Sequence, residues 1–206
     1  LSERAAKTRA TYDEVAGLYL ERHRAREQWG ERMDRFVAGL APGARVIDVG
    51  CGPGLDTAEL RDRGLRAIGL DRSIGMLCAG AAECPGPRVL ADMCALPVGR
   101  CVDGLWVNAS LLHLDRDQVP GALRDFARAL RPGGLLYLAV KEGPGAGWDH
   151  EPYGQARWFT YWTGPALDRE LAEAGFSVEQ RLDNDGPEGR VRSQRWVVRL
   201  ARLAGD

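Results

Sequence analysis

The sequence predicts an α/β fold: a doubly wound, mostly parallel, seven-stranded sheet closed by a C-terminal antiparallel hairpin. Three observations carry that prediction. Strand-like and helix-like segments alternate from residue 44 onward. The run Val46-Ile-Asp-Val-Gly-Cys-Gly-Pro-Gly54 reads as a buried strand that ends in a glycine turn and enters a helix. Residues 135–140 form a continuous apolar stretch, as expected of a strand covered on both faces.

The elements follow in order. Residues 3–40 carry two helix-like stretches, with Tyr12, Val15, Ala16 and Tyr19 on one face at helical spacing. Strands are expected over 44–49, 65–70, 88–91, 101–107 and 135–140, and helices over 54–63, 73–82 and 118–130. Arg131-Pro-Gly-Gly134 stops the last of these helices. A further helix begins near Gly164. Residues 176–182 and 192–203 then read as two strands joined by Asp183-Asn-Asp-Gly-Pro-Glu-Gly189. With no helix between them, they should pair antiparallel. Between the fifth strand and the Gly164 helix lies an aromatic-rich insertion at about 142–163, which holds Trp148, Tyr153, Trp158, Phe159, Tyr161 and Trp162.

Bulk properties narrow the function classes. A length of 206 residues suits one core-forming domain. With 28 basic and 29 acidic residues, the formal charge of -1 gives no electrostatic reason to expect nucleic acid or an anionic membrane. Arg190, Arg192, Arg195, Arg199 and Arg202 crowd the C-terminus, and Arg190 and Arg192 read most simply as solvated positions on and before a strand. Five cysteines without a C-x-x-C pair, and no secretory apolar segment, fit reduced thiols in a cytoplasmic protein. The three histidines show no metal-ligand spacing with these cysteines, so no metal is expected. The longest apolar run is too short to span a bilayer. A monomer or homodimer is the expected state.

Three glycines in five residues let a ligand approach the backbone without a Cβ in the way. The spacing is G-x-G-x-G and not the G-x-G-x-x-G of dinucleotide binders, and Asp48 sits just before the turn. The segment resembles motif I of the class I S-adenosylmethionine-dependent methyltransferases. A ligand-free strand-to-helix turn is the bland alternative. Three further matches accompany it: Leu70-Asp71-Arg72-Ser73, Ala91-Asp92-Met93-Cys94-Ala95-Leu96-Pro97, and Leu105-Trp-Val-Asn-Ala-Ser-Leu-Leu-His-Leu114. Arg131-Pro-Gly-Gly134 resembles the family's turn before the fifth strand, and the terminal hairpin is also similar.

The resemblance implies S-adenosyl-L-methionine as cofactor, held by Asp48, Gly50, Cys51, Gly52, Gly54, Asp71, Arg72, Met76, Asp92, Met93, Asn108 and Ala109. In it, Asp71 binds the ribose, Ile74 and Met76 lie against the adenine, Asp92 and Met93 meet the adenine, and Asn108 and Ala109 stand beside the sulfonium. Asp71 could instead cap the following helix, and Asp92 could be a surface acid. Tyr12-Asp-Glu-Val-Ala-Gly-Leu-Tyr19 resembles a segment of small-molecule methyltransferases in which the helix closes over the cofactor. Residues 1–40 are thus expected to be a helical lid on a domain over 41–206, with Tyr12 near the cofactor and Tyr19 near the acceptor. Periodicity alone would make both tyrosines core contacts.

The resemblance implies methyl transfer to a small aromatic or apolar molecule by in-line displacement. His113 is the candidate general base, since its ordinary pKa near 6.5 suits proton removal at neutral pH; it could instead cap a helix or shape the pocket wall. Lys141, Trp158 and Tyr161 are candidate acceptor contacts, with a polar strand exit and an aromatic mini-core as their structural alternatives. A non-catalytic, methyltransferase-like binding or regulatory protein is the alternative function, and an NAD-dependent oxidoreductase a third. Nucleic-acid methylation is disfavoured by the missing Asn/Asp-Pro-Pro-aromatic and Pro-Cys signatures.

Overall fold

The computed structural model describes residues 2–24, 30–185 and 194–205. The chain runs α1 (Glu3–His23), α2 (Gly30–Ala38), β1 (Arg45–Val49), α3 (Leu55–Asp62), β2 (Arg66–Asp71), α4 (Ile74–Ala79), β3 (Arg88–Leu90) and β4 (Val102–Asn108). A single 3-10 turn, Leu111–His113, follows. Then come α5 (Val119–Ala129), β5 (Leu130–Lys141), β6 (Ala146–Asp149), β7 (Arg157–Thr160), α6 (Gly164–Glu173), β8 (Phe176–Arg181), β9 (Asn184–Asp185) and β10 (Arg195–Leu203).

The main sheet has the order β3-β2-β1-β4-β5-β10-β8, with the two-residue β9 added beside β10. β1, β2, β3, β4 and β5 pair in parallel, while β10 is antiparallel to both β5 and β8. This is the expected doubly wound sheet with a reversed terminal strand. Its order switches direction between β1 and β4, so the loops leaving those strands diverge at their carboxyl ends.

Packing follows the apolar pattern. On one face Leu105, Val107, Leu136, Leu138 and Val140 meet Leu123 and Phe126 of α5 and Leu167 and Leu171 of α6. On the other face Val46, Trp106, Tyr137 and Val198 meet Met33 and Phe36 of α2 and Leu60 of α3. The Trp106 and Tyr137 rings stack across β4 and β5 at 3.7 Å. Each fully buried Leu or Phe contributes on the order of 1.5–3 kcal/mol, so these two layers fix the sheet that carries the site. α1 belongs to neither layer. It lies on α4 and β7, above the carboxyl ends of the strands.

Two details depart from the sequence expectation, and one lies outside it. β5 starts at Leu130, because Leu130 already pairs with Val102 before the register shifts past the Arg131-Pro-Gly-Gly134 turn. The aromatic insertion is a two-stranded antiparallel ribbon of β6 and β7, with Trp148 opposite Trp158. Arg199 is buried between β10 neighbours, where it pairs with Asp168 and Asp183. Arg190 and Arg192 lie outside the described residues. All five cysteines are free thiols. Among the described residues, no helix is long and apolar enough to cross a membrane.

The glycine loop after β1 is held by a close backbone approach from α4. A Cβ on Gly80 would stand 1.7 Å from the Pro53 carbonyl oxygen, whereas a Cβ on Gly17 in α1 would meet nothing within 4 Å. Gly80→Ala is therefore expected to destabilise the protein by ~1–3 kcal/mol through overpacking. Gly17→Ala should stabilise it by ~0.5–1 kcal/mol through helix propensity. Urea denaturation of the two variants checks both signs.

Candidate active site

The β1–α3 turn is built by three glycines at positive φ, Gly50 at 74°, Gly52 at 55° and Gly54 at 91°. Their backbone donors are already used inside the protein. Gly50 and Cys51 N–H donate to the Leu70 carbonyl, and Gly54 N–H donates to that of Cys51. Gly52 N–H donates to Asp71 Oδ2 at 2.8 Å. The glycines therefore supply conformation and room rather than free donors. At Gly50 a Cβ would strike Ser110 Cβ at 2.2 Å, whereas at Gly52 it would project between the Tyr19 ring and Met76 Sδ, at 3.9 and 4.0 Å.

Asp71 ends β2 and ties two turns together. Its second oxygen accepts from Ser73 N–H at 2.8 Å. Burial raises its pKa, opposed by the backbone N–H groups of Ser73 and Gly52 that favour the carboxylate. Each carboxylate oxygen keeps a lone-pair direction for a further donor.

Asn108 ends β4. Its Nδ2 donates to Asp56 Oδ2 at 2.9 Å, and the same oxygen accepts from Trp106 Nε1 at 2.9 Å. A carboxylate can only accept, so the amide orientation is fixed and Asn108 Oδ1 faces the other way. That oxygen is buried with no hydrogen-bond partner in the protein. A buried acceptor left unmade costs ~1–3 kcal/mol, so it marks a place for a donor from a ligand.

α1 roofs this cleft. Asp13 Oδ1 accepts from Ser73 Oγ at 2.6 Å and from Gly75 N–H at 2.9 Å. Ser73 Oγ in turn accepts from Met76 N–H as the N-cap of α4. The clamp sets the preceding residue, Tyr12, over the cleft, with its hydroxyl 2.8 Å from His113 Nε2. His113 Nδ1 lies 2.7 Å from the Trp158 carbonyl oxygen. A carbonyl only accepts, so Nδ1 carries the proton and Nε2 accepts from the Tyr12 hydroxyl. Burial pushes the His113 pKa down to about 3, partly offset by the Trp158 hydrogen bond, with Arg157 and Lys141 lowering it further. Burial also raises the Tyr12 pKa to about 12. Both groups are neutral at pH 7.

Two cavities meet at this pair. The first encloses about 760 Å³ of atom-free space out to solvent and is lined by Thr8, Arg9, Gly50, Gly52, Asp71, Met76, Met93 and Asn108, among others. The second, about 1120 Å³ on the same measure, is lined by Lys141, Tyr153, Arg157, Phe159 and Trp196, among others. Tyr12, Tyr19, Ala109 and His113 line both.

Of the residues singled out in the sequence, the first cavity gathers Tyr12, Tyr19, Gly50, Gly52, Asp71, Arg72, Met76, Met93, Asn108, Ala109 and His113. Lys141 lines the second. Others stand outside both. Asp48 is buried beside α3, where Oδ2 accepts from Thr57 Oγ1 at 2.6 Å. The Cys51 thiol packs towards Gly69, and burial raises its pKa, so it stays protonated. Gly54 lies against Arg88 and Cys84. Ile74 is exposed. Asp92 accepts from Cys94 N–H and stands 3.5 Å from Arg72 at the rim.

Strand alternation explains the aromatic insertion. Arg157 and Phe159 share the face of β7 that looks into the second cavity, while Trp158 looks the other way, with Arg4 over its ring at 4.2 Å. Trp158 reaches the site through its carbonyl instead. Tyr161 lines neither cavity, and its carbonyl accepts from Arg116. Sequence reasoning missed that Arg157 and Phe159 face the site, named Tyr153 and Phe159 only as members of the aromatic insertion, and missed the Asp13 clamp. Period-two alternation over 157–160 was the available signal for the first two.

The reversed β10 and the cleft at the carboxyl ends of β1, β2 and β4 define a Rossmann-like α/β protein. The sequence matches a family model described as a methyltransferase domain over residues 21–181. The chain belongs to the class I S-adenosylmethionine-dependent methyltransferase family.

It is similar to the demethylmenaquinone methyltransferase of Mycobacterium tuberculosis, at 36% identity over 119 residues, covering 57% of this chain and 50% of the relative. The chain thus spans about half the length of the curated relatives it matches. Its backbone superposes on the Burkholderia thailandensis 1,6-didemethyltoxoflavin-N1-methyltransferase, solved with 1,6-didemethyltoxoflavin and S-adenosylhomocysteine. The TM-score is 0.81 at 23% identity, covering 99% of this chain and 92% of the other. A Methanosarcina mazei S-adenosylmethionine-dependent methyltransferase gives a TM-score of 0.73 at 18% identity, covering 82% and 96%.

The residues present fit the cofactor that this family implies. Gly52 leaves a cradle that a side chain would enter, and Asn108 Oδ1 awaits a donor.

The folded state holds His113 neutral, whereas an unfolded chain protonates it near 6.5. The unfolded state therefore binds the extra proton, and stability falls as pH drops from about 6.5 towards about 3. One such group gives a slope of at most ~1.4 kcal/mol per pH unit. NMR should find the His113 ring as the neutral Nδ1–H tautomer from pH 8 to pH 5. His113→Gln should flatten the stability profile between those values, measured by denaturation.

Proposed function

We propose that the chain is an S-adenosylmethionine-dependent methyltransferase acting on a small, flat acceptor. The observation that carries this reading is the buried, unpartnered Asn108 Oδ1 in the cleft that Gly52 leaves open. In this account Asp71 takes the ribose hydroxyls, Met76 and Met93 face the adenine, and Asn108 Oδ1 accepts from the ammonium of the amino-acid end. When bound, the cofactor supplies an electrophilic methyl group on a positively charged sulfur.

The protein's contribution is then orientation and exclusion of water, which lowers such barriers by on the order of 7–11 kcal/mol. The Tyr12 and Tyr19 rings line both cavities and suit a nearby cation. α1 acts as the lid, held down by Asp13. The second cavity receives the acceptor, with Tyr19, His113 and Lys141 on its walls. In this arrangement His113 orients the Tyr12 hydroxyl, because its only free lone pair is already engaged.

The same cleft could serve a non-catalytic cofactor-binding protein, and turnover distinguishes the two. Incubation with methyl-labelled cofactor and flat small-molecule acceptors should yield labelled product; tight cofactor binding with transfer to none would support the non-catalytic alternative. Calorimetry tests the site itself. S-adenosylhomocysteine should bind and NAD should not, and Gly52→Val, whose branched side chain enters the cleft, should weaken binding at least about 100-fold. Undiminished binding by a folded Gly52→Val protein would refute the assignment.

A further inference from the structure

We infer that the second cavity is an anion site: its acceptor is a flat aromatic or conjugated acid bound as its conjugate base, with Arg157 as the recognition residue. The inference rests on the proposed reading of this cavity as the acceptor chamber.

Asp149 stands opposite Arg157 across the β6–β7 ladder but pairs with Lys141 instead. Arg157 is only 5% exposed, yet no ion pair involves it among the described residues. One Nη donates to the Glu151 carbonyl, which carries no formal charge. Its Nε is buried with no hydrogen-bond partner. A buried cation without a counter-ion is costly, and the cost is relieved by an anion that also takes the open donor. Three aromatic rings surround the guanidinium, those of Tyr153, Phe159 and Tyr12 at 4.8, 5.2 and 5.8 Å. The Tyr12 hydroxyl also interacts with the guanidinium, but Nε keeps no partner.

The rest of the cavity has the same sign. Lys141 points its Nζ over Phe159 at 3.7 Å, with Asp149 at 3.6 Å as its own partner. Arg22 also lines it and donates to the Pro152 carbonyl, and Glu151 is the one carboxylate among the lining residues. Flat walls come from Tyr19, Tyr153 and Phe159, so a planar anion can stack while its charged edge meets Arg157.

The chemistry of the neighbouring wall agrees. His113 donates through Nδ1 to a carbonyl and accepts through Nε2 from Tyr12, so an acceptor's proton reaches it only by way of the Tyr12 hydroxyl. An acceptor that arrives ionised needs no base. Transfer from a sulfonium donor then balances without a proton to move. The anion's nucleophilic atom forms a bond to the methyl carbon, the carbon–sulfur bond breaks, and its electron pair stays on sulfur. The negative and positive charges cancel, a step favoured where water is excluded.

The test uses 2-naphthoate and its neutral isostere 2-naphthamide, titrated calorimetrically into the full chain with and without S-adenosylhomocysteine. The naphthoate should bind at least about tenfold more tightly, the usual range for a charge-assisted hydrogen bond. R157Q should bring the two affinities within about twofold. Equal affinities in the wild-type protein overturn the proposal, as does a preference that survives in an R157Q protein still able to bind S-adenosylhomocysteine. Should R157Q fail to fold, the wild-type pair decides alone. The cofactor arm separates the two readings: S-adenosylhomocysteine binding without naphthoate preference sinks only the anion site, whereas preference without cofactor binding sinks only the methyltransferase assignment.

Discussion

Everything at the carboxyl edge of the sheet depends on the Asp71 carboxylate, which accepts from Gly52 N–H on one side and Ser73 N–H on the other. That single group locks the glycine turn after β1 to the turn after β2. From Ser73 the polar chain continues through its hydroxyl to Asp13, so α1 is fastened over the cleft. One residue earlier on the same helix, Tyr12 donates to His113, and His113 donates to the Trp158 carbonyl of β7. Five separate segments are thus placed by one path of short hydrogen bonds. The apolar core fixes the sheet, but this path fixes the site. Its energetic weight comes from burial, because each member left unpaired would cost ~1–3 kcal/mol.

The Tyr12–His113 pair also divides the space. On one side lie the open glycine turn, Asp71 and the unpartnered Asn108 oxygen; on the other lie Arg157, Lys141 and the rings of Tyr153 and Phe159. The two sides offer opposite kinds of open valence. Asn108 presents a buried acceptor with nothing to accept, and Arg157 presents a buried donor with nothing to donate to. A cationic group on the first side and an anionic group on the second would satisfy both, with the neutral Tyr12–His113 pair between them. A fold of this class hosts many chemistries, so this pairing, rather than the sheet, carries the functional argument.

Much of the fold was legible in the sequence, because β-branched and continuous apolar runs mark central parallel strands without help from tertiary context. Val46 to Val49 and Leu135 to Val140 are such runs, and the strand–loop–strand ending was enough to predict the reversed β10. The β6–β7 ribbon was not legible. Its strands are four residues long, and the aromatic density masks the alternation that sends Phe159 inward and Trp158 outward. Arg199 was not legible either: it looks like Arg195 and Arg202 in sequence, yet Asp168 and Asp183 draw this one into the interior. Within the site, side chains announced by motif were legible, as with Gly52, Asp71 and Asn108. Contacts made by main-chain atoms or across long separations were not. Residue type carries no signal that the Trp158 carbonyl would orient His113, or that Asp13 would reach Ser73 across 60 positions.

A crystal structure of the chain with S-adenosylhomocysteine measures the central claim most directly. The account predicts density against Gly52, the ribose hydroxyls on Asp71, the ammonium within hydrogen-bond distance of Asn108 Oδ1, and the sulfur facing the Tyr12–His113 wall. Density for the nucleoside in the Arg157 cavity, or a complex that leaves Asn108 Oδ1 without a donor, would contradict it.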